Sequence, residues 1–262
     1  MEDLSQAIRA ALLTGEPRAK VKATRKLVRD WRRGALRPGF AVEMPDRPQW
    51  PAQLELLPPS QMSKRGRGGS EKNRIALWHS LAHIEFVAID LALDMVGRFG
   101  ARMDKAFIGD FLHVAADEAM HFALIERKLH RMGVAYGDLP AHSGLWDAAY
   151  ETRGDVLARL AVVPMVLEAR GLDVTPAMLD RARAQGDEQG ARILERILDD
   201  EIRHVRAGST HFSKICDRRG ENAENCWKML VKRHFRGIIK PPFNDSARLA
   251  AGLPRELYAA LA

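Results

Sequence analysis

The chain has 262 residues, 46% of them hydrophobic, enough to bury a sizeable core, and one large domain with terminal additions is the simplest reading. Its 41 Lys+Arg against 34 Asp+Glu leave a formal charge of +7, and its two cysteines, Cys216 and Cys226, are too few for a disulfide framework or a four-cysteine metal site. Met1-Glu2-Asp3 does not open a signal peptide, and the apolar run over 156–167, interrupted by Arg159, is too short to span a bilayer, so a cytoplasmic chain without a membrane segment is expected.

Residues 2–14 read as a short amphipathic helix through Leu4, Ala7, Ile8, Ala11 and Leu12. Pro17 suits the first turn of a second helix that Gly34 ends. Arg18, Lys20, Lys22, Arg25, Lys26, Arg29, Arg32, Arg33 and Arg37 crowd this region beside Trp31, and Lys64, Arg65 and Arg67 form a second basic cluster. Such a footprint attracts RNA or DNA; the plainer reading is a solvated helix face. Prolines 38, 45, 48, 51, 58 and 59 forbid regular helix, so this stretch reads as an extended strap, followed by a loop freed by Gly66, Gly68 and Gly69.

The body reads as long helices. Ser70 is the expected N-cap of one that reaches Phe99 and stops at Gly100; a second spans 103–132 and closes at Gly133. A loop carrying Tyr136, Gly137, Pro140 and Gly144 leads to a third helix over 145–170, bent at Gly154 and Pro164 and stopped by Gly171. Thr175-Pro176 begins a short helix to residue 185, Gly186 and Gly190 mark a break, and a fourth long helix runs to residue 218. A helix over 224–235 and an irregular tail with Pro241-Pro242-Phe243 complete the chain. The division expected is 1–69 for N-terminal helices and strap, 70–220 for the body, and 221–262 for the C-terminal helix and tail.

Four acids interrupt the apolar faces of the long helices. At helical spacing Glu85 lies among Trp78, Leu81, Ala82, Ala88, Ile89 and Ala92, and Glu118 among Phe111, Val114, Ala115, Phe122 and Ile125. Glu168 has Ala161, Met165 and Leu172 for neighbours; Glu201 has Leu194, Ile197, Leu198 and Val205. His121 and His204 follow two of these acids by three residues, on the same face. The order is therefore Glu, Glu-x-x-His, Glu, Glu-x-x-His, and each half repeats a spacing of 33 residues (118−85 and 201−168). Four ionised carboxylates facing one core cost several kcal/mol apiece. Those faces hold no Lys or Arg, whereas two divalent cations would balance four glutamates and accept both imidazoles.

At these six positions the chain resembles the ferritin-like di-iron carboxylate proteins, in which two helices give one Glu each and two give Glu-x-x-His. The segments H79-S-L-A-H-I-E85, D117-E-A-M-H121, L167-E-A-R-G171 and D200-E-I-R-H204 also look like an uncharacterised bacterial family of ferritin-like domain proteins. That likeness covers about residues 60 to 245, the K240-P-P-F-N244 stretch included. It implies an all-α, ferritin-like four-helix bundle with extra N-terminal helices, a Pro-rich strap and a C-terminal helical extension. It also implies Glu85 and Glu168 as terminal ligands, Glu118 and Glu201 as bridges, and His121 and His204 each capping one metal. Carboxylate oxygens with imidazole nitrogens suit two Fe ions, and manganese or a mixed Mn/Fe pair shares the ligand set.

Asp117 and Asp200, each directly before a ligand glutamate, suit supporting roles. A ligating imidazole commonly donates its other N–H to a carboxylate, so Asp200 is expected at His121 and Asp117 at His204, the plainer reading being surface ion pairs such as Asp200 with Arg203. His79 and His83 share a face that points away from Glu85, which makes His83 a core hydrogen-bond partner rather than a ligand. Tyr136, Trp146 and Tyr150 read as packing more readily than as a channel or electron path. Cys216 and Cys226 flank a predicted break, are expected reduced, and receive no role.

A di-iron reading implies an oxidase or hydroxylase that activates O2, uses an electron donor, and acts on a small or RNA-borne substrate. The short Glu-Ala-Arg stretch and the basic face resemble, more loosely, the di-iron hydroxylases that modify tRNA. The alternatives are a ferroxidase, peroxide-scavenging or iron-handling protein, and an interaction protein stapled by metal. Fold likeness by itself does not choose among them.

Overall fold

The computed structural model describes residues 2–62, 70–259 and 261. The all-α expectation holds: among these residues β pairing is confined to two isolated bridges, Asp3 with Arg37 and Leu56 with Ala141. The chain divides into two compact units, Met1–Asp147 and Ala148–Ala262. The basic cluster of Lys64, Arg65 and Arg67 and the loop glycines 66, 68 and 69 lie outside the described residues.

The first unit holds α1 (Leu4–Leu12), α2 (Pro17–Arg32), α3 (Glu71–Phe99) and α4 (Lys105–Arg131). Local signals set their starts. The Asp3 carboxylate accepts from Ser5 N at 2.9 Å, Pro17 occupies the first turn of α2, the Ser70 hydroxyl accepts from Asn73 N at 3.3 Å, and Asp104 accepts from Phe107 N at 2.9 Å. A short 3-10 turn, Gly100–Arg102, joins α3 to α4, and the two pack side by side as an antiparallel hairpin. By length and composition α3 could cross a membrane, but 72% of its most apolar window is buried, the pattern of a core helix in a soluble protein.

The strap is extended, as its prolines require, and closes over this unit. Gln49 N donates to Leu12 O at 2.9 Å, Arg98 Nη2 to Pro45 O at 2.6 Å, and Leu57 N to Ala141 O at 2.8 Å. On α2 the reading of a uniformly solvated basic face needs one correction. Arg18, Lys22, Arg25, Lys26, Arg29, Arg32 and Arg33 are exposed, but Lys20 is wholly buried and ion-paired to the equally buried Asp90 of α3. Lys20 shares the stripe of Thr24, Leu27 and Val28, so helical geometry carries it inward.

The second unit departs further from the expected elements. Instead of one helix over 145–170, the chain forms α5 (Gly144–Glu151), which begins before the boundary, a break around Gly154, and α6 (Val156–Val162), capped by Asp155, whose carboxylate accepts from Leu157 N at 2.9 Å. A π-helical segment follows, Val163–Glu168, and passes directly into α7 (Ala169–Ala184). Gly171 therefore ends nothing, and Pro176 lies inside a helix rather than starting one.

A distant side chain compensates the second of these breakers. Gly171 lies within α7 facing α8 (Glu188–Arg219), where a Cβ would meet Glu201 Cγ at an ordinary contact distance of 4.0 Å. Pro176 cannot donate to Leu172 O, and Asn244 Nδ2 donates to that carbonyl instead, at 3.2 Å. Pro164 Cβ and Cγ fill the space where a side chain on residue 208 of α8 would begin, which explains Gly208. Gly190 likewise sits in the first turn of α8, its N–H donating to Asp187 at 2.8 Å, so the break falls at Gly186 alone, with φ of 70°.

The C-terminal part comprises α9 (Ala223–His234), α10 (Asp245–Ala250) and α11 (Arg255–Ala259). The K240-P-P-F-N244 stretch clasps α7. Arg170 Nη1 donates to Lys240 O and Pro242 O at 2.8 and 3.0 Å, and Arg248 forks onto the buried carboxylate of Asp173 at 2.8 and 2.7 Å. Arg170 of the Glu-Ala-Arg stretch is thus a clamp for the chain beside Glu168.

Candidate metal centre

In the first unit, Glu85 from α3 meets Glu118 and His121 from α4. All three are buried: 4%, 0% and 0% exposed. Helical spacing puts Glu118 and His121 on one face of α4, and the short connection to α3 brings Glu85 opposite them. His121 Nδ1 lies 3.1 Å from Glu85 Oε2 and 3.3 Å from Glu118 Oε2, and ligand atoms of the three lie within 4.8 Å of one another. Two carboxylates and an imidazole converging at that range form a donor set that fits a divalent cation with oxygen and nitrogen ligands.

The electrostatics agree with the geometry. Burial holds the Glu85 carboxyl well above its usual range, the nearby negative charge of Glu118 pushes it further, and the contact with His121 opposes both. A cation reverses that balance, so metal binding would release the proton that burial retains on Glu85.

The second unit carries the other three candidates. Glu201 and His204, 8% and 2% exposed, share a face of α8, with His204 Nδ1 3.8 Å from Glu201 Oε2. Glu168 is partly exposed and is the last residue of the π-helical segment, where the wider turn rotates the following side chains relative to a regular helix. Asp200 is buried and accepts from Arg196 Nε at 2.6 Å and from Arg203, the ion pair that sequence suggested. Asp117 faces His113 Nε2 of its own helix at 3.5 Å.

A layer of aromatic and polar contacts ties α3 to the loop after α4. Phe86, next to Glu85, stacks with Phe122 and Tyr136 at centroid distances of 5.0 and 5.1 Å, and Phe122 meets Tyr136 edge-on at 5.3 Å. Tyr136 is thus a packing residue whose hydroxyl pairs with His83 Nδ1 at 2.9 Å, while His83 Nε2 meets the His142 carbonyl at 2.9 Å. That carbonyl can only accept, so Nε2 carries the proton and Nδ1 receives the tyrosine hydrogen. His79 Nε2 accepts from Gly137 N at 2.9 Å, and both histidines therefore fasten the loop after α4 rather than bind metal. Beyond them Trp50 donates to Asp90 at 2.9 Å, beside Lys20. The signal in sequence was the pair of acids, Asp90 and Asp94, within the apolar run of α3; their partners lie elsewhere in the chain or one turn away, as Arg98 does at 2.7 Å from Asp94.

This histidine pair predicts acid sensitivity. Burial lowers His83 from 6.5 to about 4, and His79 likewise. A depressed histidine keeps its full stabilising effect above the unfolded value and loses it as pH falls, because the unfolded chain gains a proton that the native form refuses. Between pH 6.5 and 4 this costs on the order of 2–3 kcal/mol for His83. Urea denaturation across that range should show stability falling with pH, and a shallower slope in His83→Gln; an equal slope would contradict the assignment.

All six candidate ligands fall within residues 13–259, the span matched by the model of the family described as "Protein of unknown function (DUF455)". The chain belongs to this family. The chain is also similar to a protein from Haemophilus influenzae (strain ATCC 51907 / DSM 11121 / KW20 / Rd) described as "Uncharacterized protein". It is 36% identical, with 94% of this chain and 89% of the relative covered. No solved structure matches the chain. A buried carboxylate and histidine cluster compatible with a metal ion is thus a property of this DUF455 chain on its own geometry, independent of any name.

Proposed function

We propose that the two half-sites act together as one di-metal centre in a ferritin-like arrangement of α3, α4, α7 with its π-helical entry, and α8, and that the chain is an O2-activating di-iron oxidoreductase. The observation that carries the reading is the buried convergence of Glu85, Glu118 and His121, with the same Glu-x-x-His repeated on α8. In this reading Glu85 and Glu168 are terminal ligands, Glu118 and Glu201 bridge, and His121 and His204 each cap one ion. Manganese or a mixed pair would use the same donors. Asp200 and Asp117 orient the imidazoles of His121 and His204 across the centre. When bound, an iron pair supplies the electrons that reduce O2.

The chain's own residues prepare the surroundings. Glu85 is buried, and that burial holds a proton on its carboxyl until a cation displaces it. The substrate is a small or RNA-borne organic molecule, and an external electron donor completes the turnover. The exposed basic face of α2 supports the RNA-borne class, and the chain works in the cytoplasm. Binding of tRNA through that face should weaken steeply with added salt, as counterion release requires.

The test is anaerobic loading with Fe(II) followed by O2. Iron uptake should stop at two per chain and O2 should be consumed. Continued mineralisation at many irons per chain would favour iron storage, and a loaded protein inert to O2 would favour a metal staple.

A further inference from the structure

A second cluster lies where α8 turns into α9. Cys216 in the last turn of α8, Glu221 just past the cap, and Cys226 in the first turn of α9 offer ligand atoms that all lie within 4.8 Å of one another. Gly220, at φ 69°, lets the chain reverse, and Glu221 N donates to Cys216 O at 3.0 Å, so the backbone itself presents the three side chains to one point. Both cysteines are free and buried, 0% and 7% exposed, while Glu221 is exposed and opens the cluster to solvent.

We infer that Cys216, Glu221 and Cys226 form a binding site for one thiophilic divalent cation of the zinc class, with water as the fourth ligand. Two sulfurs and a carboxylate are a recognised donor set for zinc, at bond lengths of about 2.3 Å to sulfur and about 2.0–2.2 Å to oxygen, so small side-chain rotations close a tetrahedron around the point they share. The Cys226 thiol already interacts with both Glu221 and Cys216. A proton stands there among three groups that could each give electrons to a metal. The soft sulfurs set this site apart from the oxygen-rich centre of the glutamates, and the two sites prefer different ions.

A redox disulfide is the competing use of the same pair. A disulfide would join the two sulfurs and make no use of the Glu221 carboxylate, whose ligand atom lies within the same 4.8 Å. A cation, by contrast, takes all three ligand atoms and displaces the proton as it binds. Once bound it would tie the start of α9 to the end of α8. The inference is independent of the glutamate centre.

Cobalt(II) titration of the full chain under reducing conditions separates the two sites, because only thiolate ligation produces a sulfur-to-cobalt charge-transfer band in the near ultraviolet. One equivalent should generate that band, zinc should abolish it, and Cys216→Ser and Cys226→Ser should each lack it. Glu221→Gln should still develop the band but only at much higher cobalt, an affinity loss above about 100-fold, because losing a ligand costs more than the roughly 10–100-fold of losing a supporting residue. In parallel, one equivalent of zinc should shield both cysteines of the unaltered protein from alkylation, a readout that needs no variant. Absence of the band in the unaltered protein, its survival in Cys226→Ser, or unchanged alkylation with zinc would overturn the inference.

Discussion

Glu118→Gln should strip the metal while leaving the metal-free protein at least as stable as its parent at pH 8. The amide keeps the shape and one acceptor oxygen for His121 but cannot supply a bridging negative charge. Loss of a supporting residue alone costs about 10–100-fold in metal affinity, so loss of a ligand should exceed about 100-fold. Stability moves the other way because Glu118 is, after burial, the main reason that the Glu85 carboxyl is held high. A raised carboxyl is stabilising below its unfolded value and loses that contribution as pH climbs through the folded one, so relieving the repulsion helps most in the alkaline range. Metal analysis after dialysis and urea denaturation of both metal-free proteins check the two halves. A variant that keeps its metal, or that is markedly less stable without it, would assign Glu118 to the architecture rather than to a centre.

The second large effect concerns Asp90. Its carboxylate faces Lys20 with both side chains fully buried, and Lys20 also reaches Leu12 O at 3.4 Å and sits 4.9 Å from the centre of the Phe86 ring. Asp90→Ala leaves a buried ammonium without its counter-charge and the Trp50 indole without its acceptor, and should cost about 3–5 kcal/mol. A double replacement, Lys20→Met with Asp90→Leu, removes both desolvation penalties and should recover most of that loss. The comparison is made by chemical denaturation. If the single variant lost less than about 1 kcal/mol, in the range of a surface ion pair, the pair would not be holding α2 on α3.

What could be read from sequence was what is local. The apolar stripes and the caps at Ser70 and Gly133 place α3 and α4 within a few residues, and the offset of three between Glu118 and His121 puts both on one buried face. Lys20 was misread as part of the solvated face: it repeats with Thr24 and Leu27, but the run of neighbouring charges masked that inward member. The fourth long helix was legible nearly to its ends, but the third element and the short helix after it were not, because their continuity depends on distant groups. Helix α7 runs through Gly171 and Pro176, and the Leu172 carbonyl that Pro176 strands is taken by Asn244, 68 positions later. No window around Pro176 contains that partner. The π-helical turn before Glu168 is similar: Pro164 seats against Gly208, and that contact belongs to the packed unit, not to the segment. Buried pairs such as Asp173 with Arg248 also form across long separations and leave no periodic trace.

The central proposal is that carboxylates and imidazoles drawn from α3, α4, the entry to α7 and α8 share a pair of cations. Crystals grown with ample iron and measured on either side of the iron absorption edge test it directly. The account predicts two iron peaks bounded by Glu85, Glu118, His121, Glu168, Glu201 and His204. An ordered structure in which that volume holds no anomalous scatterer, or in which those side chains turn to bulk solvent, would contradict it.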